Sequence, residues 1–163
     1  MILWFAGGAC LMVLLVFGDP AMDLRMVVLG ALLPDAPLRL TPLHSLAAPA
    51  LALVIVMLST RRSGPGPRPG RRGRRVRRLA LAVPIGMLLH LVLDGMWART
   101  DVFWWPLAGA FPGGRLPSLD RPLAVLVLQE AAGLAALAWS WTRIKALRGD
   151  GPGDAAGEAE AAC

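Results

Sequence analysis

Leu79–Trp97 reads LALAVPIGMLLHLVLDGMW, 19 residues without a Lys or Arg. As an α-helix it is roughly 28 Å long, about the thickness of a bilayer's hydrocarbon core. His90 and Asp94 interrupt its apolar run. They are four residues apart, so they stack on one helix face. An imidazole and a carboxylate are costly to expose to lipid. That face must therefore meet a partner, a metal ion or water.

The rest of the chain has the same character. Of its 163 residues 56% are hydrophobic and 17% charged, against about a quarter charged in soluble domains. The apolar residues gather into long runs, which predicts an all-α, polytopic membrane helical bundle. Ile2–Phe17 reads as a retained helix, since no positive residue precedes it and no small-residue cleavage pattern follows it. Asp19-Pro20 is a cap followed by an N1 proline and predicts a helix over Pro20–Leu33. Its 14 residues reach only about 21 Å, so it is a tilted short span or a re-entrant segment. Pro34 and Pro37 bracket Asp35 and break the backbone there. Thr41-Pro42 repeats the cap-and-proline signal and opens a helix over Pro42–Leu58. Pro122–Thr142 is the last span. The expected count is four transmembrane helices, or five if Pro20–Leu33 crosses. Residues 1–148 form the membrane domain, including an Arg-rich loop at 60–78, and 149–163 form an acidic tail. Loop and tail both have the composition of disordered chain. Two cysteines, Cys10 and Cys163, make no disulfide framework.

Arg61–Arg78 carries nine arginines, and Arg143, Lys145 and Arg148 follow the last span. Positive loops stay in the cytoplasm, so both segments are expected there, in a cytoplasmic (inner) membrane. The two are separated by two spans, which makes the assignment self-consistent. Asp35, His44, His90 and Asp94 then converge on the outer side. Two imidazoles and one or two carboxylates form a nitrogen and oxygen set suited to a divalent metal, Zn²⁺ ahead of Mn²⁺ or Fe²⁺. Such a set can activate water for hydrolysis. The alternative is that His90 and Asp94 bond each other or a backbone carbonyl and fasten helices. Spacing alone leaves both readings open.

Four phrases fall in one order: GALLPDAP (30–37), TPLHSL (41–46), GMLLHLVLDGMW (86–97) and FWWPLAG (103–109). In this the chain resembles the YdjM-like family of LexA-binding, inner-membrane-associated hydrolases, also labelled membrane-bound metal-dependent hydrolases. The likeness covers about residues 1–142. It implies that Asp35, His44, His90 and Asp94 occupy the family's metal-site positions, with Asp35 a ligand or general base. Many members carry P-D-x-D-H where this chain has Pro34-Asp35-Ala36-Pro37, and H-R-G-x-T-H-S where only His44-Ser45 remains. The missing ligands argue against a two-metal site.

The implied activity is hydrolysis of an ester or phosphoester in an amphiphilic substrate at the outer side of the membrane. A non-catalytic scaffold or small transporter, with a structural or solute-binding His/Asp cluster, is the competing class. The expected partner is membrane lipid, with anionic headgroups at the Arg-rich loop. Nucleic acid ranks last, because no aromatic residue lies between Arg61 and Arg78 to stack on bases. Trp97, Phe103, Trp104 and Trp105 read as an interfacial belt or a lid. Arg99, Arg115 and Arg121 are candidates to hold a phosphate or a carboxylate. Glu130 reads as a helix–helix contact.

Overall fold

The computed structural model describes residues 1–18, 22–35, 41–60, 71–109 and 121–149. Every regular element among them is helical: α1 (Ile2–Phe17), α2 (Leu24–Leu32), a 3-10 turn (Thr41–His44), α3 (Ala47–Ser59), α4 (Arg71–Asp94), a second 3-10 turn (Met96–Ala98), α5 (Thr100–Phe103) and α6 (Leu123–Gly149).

α4 is the axis. α2 lies alongside it in the same direction, with Gly86 against Val27 and Ala31, and His90 against the Ala31 carbonyl. α1 runs the opposite way, placing Phe5 on His90 and the Trp4 indole N–H on the Leu93 carbonyl at 3.3 Å. α3 also opposes α4, with His44 beside His90 at one end and Met57 beside Arg77 at the other. α6 packs along α1 in parallel through Gly7 and Gly133. A Cβ on either glycine would run into the other helix's backbone. Gly30 and Gly86 allow the same approach between α2 and α4. Such small-residue contacts are the usual way apolar helices associate without water to drive them.

Leu79–Trp97 behaves largely as its pattern predicts. α4 runs through the buried Pro84 and ends at Asp94, where Gly95 turns the chain at φ 72°, a left-handed conformation that a side chain would strain. Beyond it, Leu91, Met96 and Val102 form a small apolar cluster under α5.

Four boundaries differ from the sequence expectation. Arg71–Arg78, expected in the disordered loop, form the first two turns of α4. Arginine is a strong helix former, and the apolar body of α4 supplies the nucleus from which these turns propagate. Arg61–Gly70 lie outside the described residues. α6 likewise continues past Thr142 to Gly149, while the tail from Asp150 lies outside them. α2 opens at Asp23, whose carboxylate accepts the Arg25 N–H at 3.0 Å; Asp19 and Pro20 are outside the described residues. With nine residues it is about 14 Å long, half of what a crossing needs. Thr41-Pro42 opens the 3-10 turn rather than α3. The Ser45 hydroxyl donates to the Pro42 carbonyl at 2.7 Å, and the Leu46 N–H goes to the Phe103 carbonyl at 2.9 Å. Those bonds tie the turn to itself and to α5, so α-helical pairing starts only at Ala47.

Among the described residues two helices are long and apolar enough to cross a membrane, over Gly73–Asp94 and Leu123–Leu147. α1 and α3 are shorter and apolar. Only 11% of the most apolar window of α6 is buried. A core helix of a water-soluble protein would show the reverse.

Candidate metal centre

Three elements converge where α2 ends. Asp35 sits in the turn after α2, behind the buried Pro34. His44 closes the 3-10 turn before α3, and His90 lies one turn from the C-terminus of α4. Asp35 Oδ1 is 3.5 Å from His44 Nε2 and 3.9 Å from His90 Nε2. One ligand atom from each residue lies within 4.8 Å of the others. Ligands about 2.1 Å from a tetrahedral ion stand about 3.4 Å apart. The set stands somewhat wider than that, each donor at the end of a rotatable side chain. Asp35, His44 and His90 can therefore hold a metal ion.

The surroundings fix how each ring presents itself. His90 Nδ1 lies 2.7 Å from the Ala31 carbonyl. A carbonyl only accepts, so Nδ1 carries the proton and the Nε2 lone pair faces Asp35. Phe5 stacks on the His90 ring with centroids 4.1 Å apart and planes 30° apart. The two imidazoles meet edge-on, with centroids 5.3 Å apart. A backbone acceptor on one ring nitrogen and a free lone pair on the other is the usual arrangement of a metal-ligating histidine.

The decisive feature is a shortage of protein partners. His90 Nε2 and both nitrogens of His44 are buried with no hydrogen-bond partner among the described residues. An unsatisfied buried polar atom costs about 1–3 kcal/mol. A cation at the point where these atoms converge with Asp35 would satisfy at least one nitrogen of each ring. The Asp35 side chain, 36% exposed, is the open member of the set. Burial works to raise its carboxyl, but the His44 ring, then His90, outweigh that and hold it below the ordinary carboxylate range. It is an anion at neutral pH, as a ligand must be.

Asp94 is placed differently. It lies one turn beyond His90, at the end of α4, outside the group of three. Its Oδ1 accepts from Arg121 Nη2 at 3.1 Å, and the same nitrogen bonds its backbone carbonyl at 2.9 Å. Arg121 Nη1 bonds Gln129 Oε1 at 3.1 Å. One guanidinium thus caps the C-terminus of α4, neutralises a buried carboxylate and ties α4 to α6. Asp94 Oδ2 has no partner among the described residues.

Glu130 is also a link between helices. It accepts the Leu3 N–H at 2.9 Å and pairs with the Met1 amino group at 3.0 Å. The anion that Arg121 holds is the Asp94 carboxylate. The Arg99 side chain has no partner among the described residues, and Arg115 lies outside them. Phe5 and Ala31 carry no sequence signal, being ordinary members of apolar runs, yet they set the plane and tautomer of His90. No protein-family profile, curated protein or solved structure matches the chain, so the reading of this centre rests on its own geometry.

Proposed function

We propose that the chain is a membrane-embedded, metal-dependent hydrolase acting on an ester or phosphoester of an amphiphile. The observation that carries this reading is the convergence of Asp35, His44 and His90 with their nitrogens unsatisfied by the protein. His44 and His90 hold the ion. Asp35, open to the outside, is the third ligand or the base that takes a proton from water. The ion supplies an electrophile and a source of activated water. Imidazole nitrogens with one carboxylate favour Zn²⁺ over Mn²⁺ or Fe²⁺.

In this reading the bundle lies in a cytoplasmic membrane. The arginine-bearing end of α4 and the end of α6 face the cytoplasm, and the metal centre faces outward. α2 is a short element rising to the centre, not a full crossing. A membrane-impermeant thiol reagent on intact cells should miss Cys163 and reach a cysteine introduced by Ala108→Cys. Labelling of Cys163 would reverse the orientation.

The competing class is a non-catalytic scaffold or small transporter. It is favoured by the Asp94–Arg121–Gln129 and Glu130–Leu3 links, which fasten helices and need no chemistry. Purified, chelated protein in detergent separates the two. A hydrolase of this kind takes up one equivalent of metal. The metal then raises its stability by about 2.7 kcal/mol at a hundred times Kd. A fatty-alcohol phosphate and a carboxylic ester serve as substrates. A wild type indifferent to every divalent ion would sink the proposal and leave the scaffold.

A further inference from the structure

The other end of α4 poses a separate question. Arg74, Arg75, Arg77 and Arg78 are exposed in its first turns. Electrostatics within the chain works against them. A helix N-terminus carries the positive pole of the helix dipole, and the first turn of α4 has no acidic residue. Arg74 is three and four residues from Arg77 and Arg78, a spacing at which like charges repel. Among the described residues none of the four has a carboxylate within ion-pair distance. Arg77 instead bonds the Met57 sulfur at 3.7 Å, which brings the end of α3 to this end of the bundle.

Because α6 opposes α4, its last turns lie at the same end. They carry Arg143 and Lys145. The Lys145 ammonium sits 5.3 Å from the centroid of the Trp141 ring. Trp139 and Trp141 are 43% and 64% exposed. Tryptophans beside cations at the end of an apolar helix are the signature of the headgroup level of a bilayer.

We propose that this end is a docking surface for anionic lipid headgroups. Arg74, Arg75, Arg77 and Arg78 take the phosphates, for which the guanidinium fork is suited. Trp139 and Trp141 lie at the boundary between headgroups and chains. An anionic surface relieves both the dipole mismatch and the mutual repulsion, which no group among the described residues does. A nucleic acid fits less well: Val76 is the residue between the arginine pairs, and no aromatic stands among them for bases to stack on.

The test uses the full chain, metal-free, in an uncharged detergent. Its melting temperature is followed as phosphatidylglycerol or phosphatidylcholine is added, and bound lipids are counted by native mass spectrometry. Phosphatidylglycerol should raise the melting temperature and remain bound, phosphatidylcholine should do neither, and 0.5 M salt should weaken the effect. The variant R74Q/R75Q/R77Q/R78Q should bind phosphatidylglycerol roughly tenfold or more weakly. Should that variant fail to insert, the salt titration and the comparison of the two lipids on the wild type decide alone. Equal response to the two lipids, salt-insensitive binding, or tighter binding of a single-stranded oligonucleotide than of phosphatidylglycerol would overturn the proposal.

Discussion

The two ends of α4 handle charge in opposite ways. At the C-terminal end the carboxylates have neighbours of opposite or complementary character: Asp94 has Arg121, and Asp35 lies between His44 and His90, whose unpartnered nitrogens converge on it. At the N-terminal end Arg74, Arg75, Arg77 and Arg78 have no carboxylate neighbour among the described residues. One end is buried, so its charges must be paired by the fold or by an ion it holds, since a lone charge there costs several kcal/mol. The other is exposed and can leave the matter to its surroundings. The same helix therefore contains a region where substitution acts on folding and a region where it acts on the medium the protein prefers.

The sharpest way to break that contrast is Arg121→Ala. It leaves the Asp94 carboxylate buried and unpaired, and the loss of stability should be about 3–5 kcal/mol, read from thermal or denaturant unfolding in detergent. The double change Arg121→Leu with Asp94→Leu should recover much of it, because no charge is left behind. A small effect of Arg121→Ala would mean that the pair is wet and that the two ends are alike.

His90→Gln comes next. It keeps a hydrogen-bonding side chain but removes a strong ligand. Metal affinity, measured by isothermal titration, should fall more than a hundredfold, with the metal-free melting temperature nearly unchanged. Asp94→Asn should lower the same affinity by only about tenfold, as expected of a group that supports the ligands from one turn away. Equal losses at the two positions would put Asp94 in the ligand set. At the far end, Arg75→Gln should change stability in an uncharged detergent by no more than about 0.5 kcal/mol.

The smallest effect is one of pH. Asp35 is held below the ordinary carboxylate range, so its contribution to folding is fully present above that range and is lost as pH falls through its lowered value. The difference in melting temperature between metal-free wild type and Asp35→Asn should hold from neutral pH down to the ordinary carboxylate range and shrink only below it. Absence of that difference at neutral pH would place Asp35 in solvent rather than beside the histidines.

How much of this was legible in the sequence follows from which forces are local. The apolar lengths of α1, α4 and α6, and the grouping of His44 with His90, could be read from runs, caps and motif order. The Asp94–Arg121 pair could not, because the two stand 27 positions apart in sequence and no periodicity links them. Phe5 gave no sign either, since an aromatic in an apolar run announces burial but not what it stacks on. The helical turns at Arg71–Arg78 were hidden by composition. Charge and glycine there read as solvated coil, while the adjoining apolar helix extends through them. α2 is shorter than the Asp19-Pro20 signal predicts because its cap lies at Asp23, where no proline marks it.

The seam between α1 and α6 has a consequence for how the molecule is built. Gly7 and Gly133 touch backbone to backbone, joining the first helix of the bundle to the last. A ribosome delivers α1 long before α6 exists. Until then the Gly7 face of α1 lacks the partner that it packs against in the bundle. The α1–α6 seam therefore forms only once α6 has been made, so a contact between helices far apart in sequence is among the last of the bundle to close.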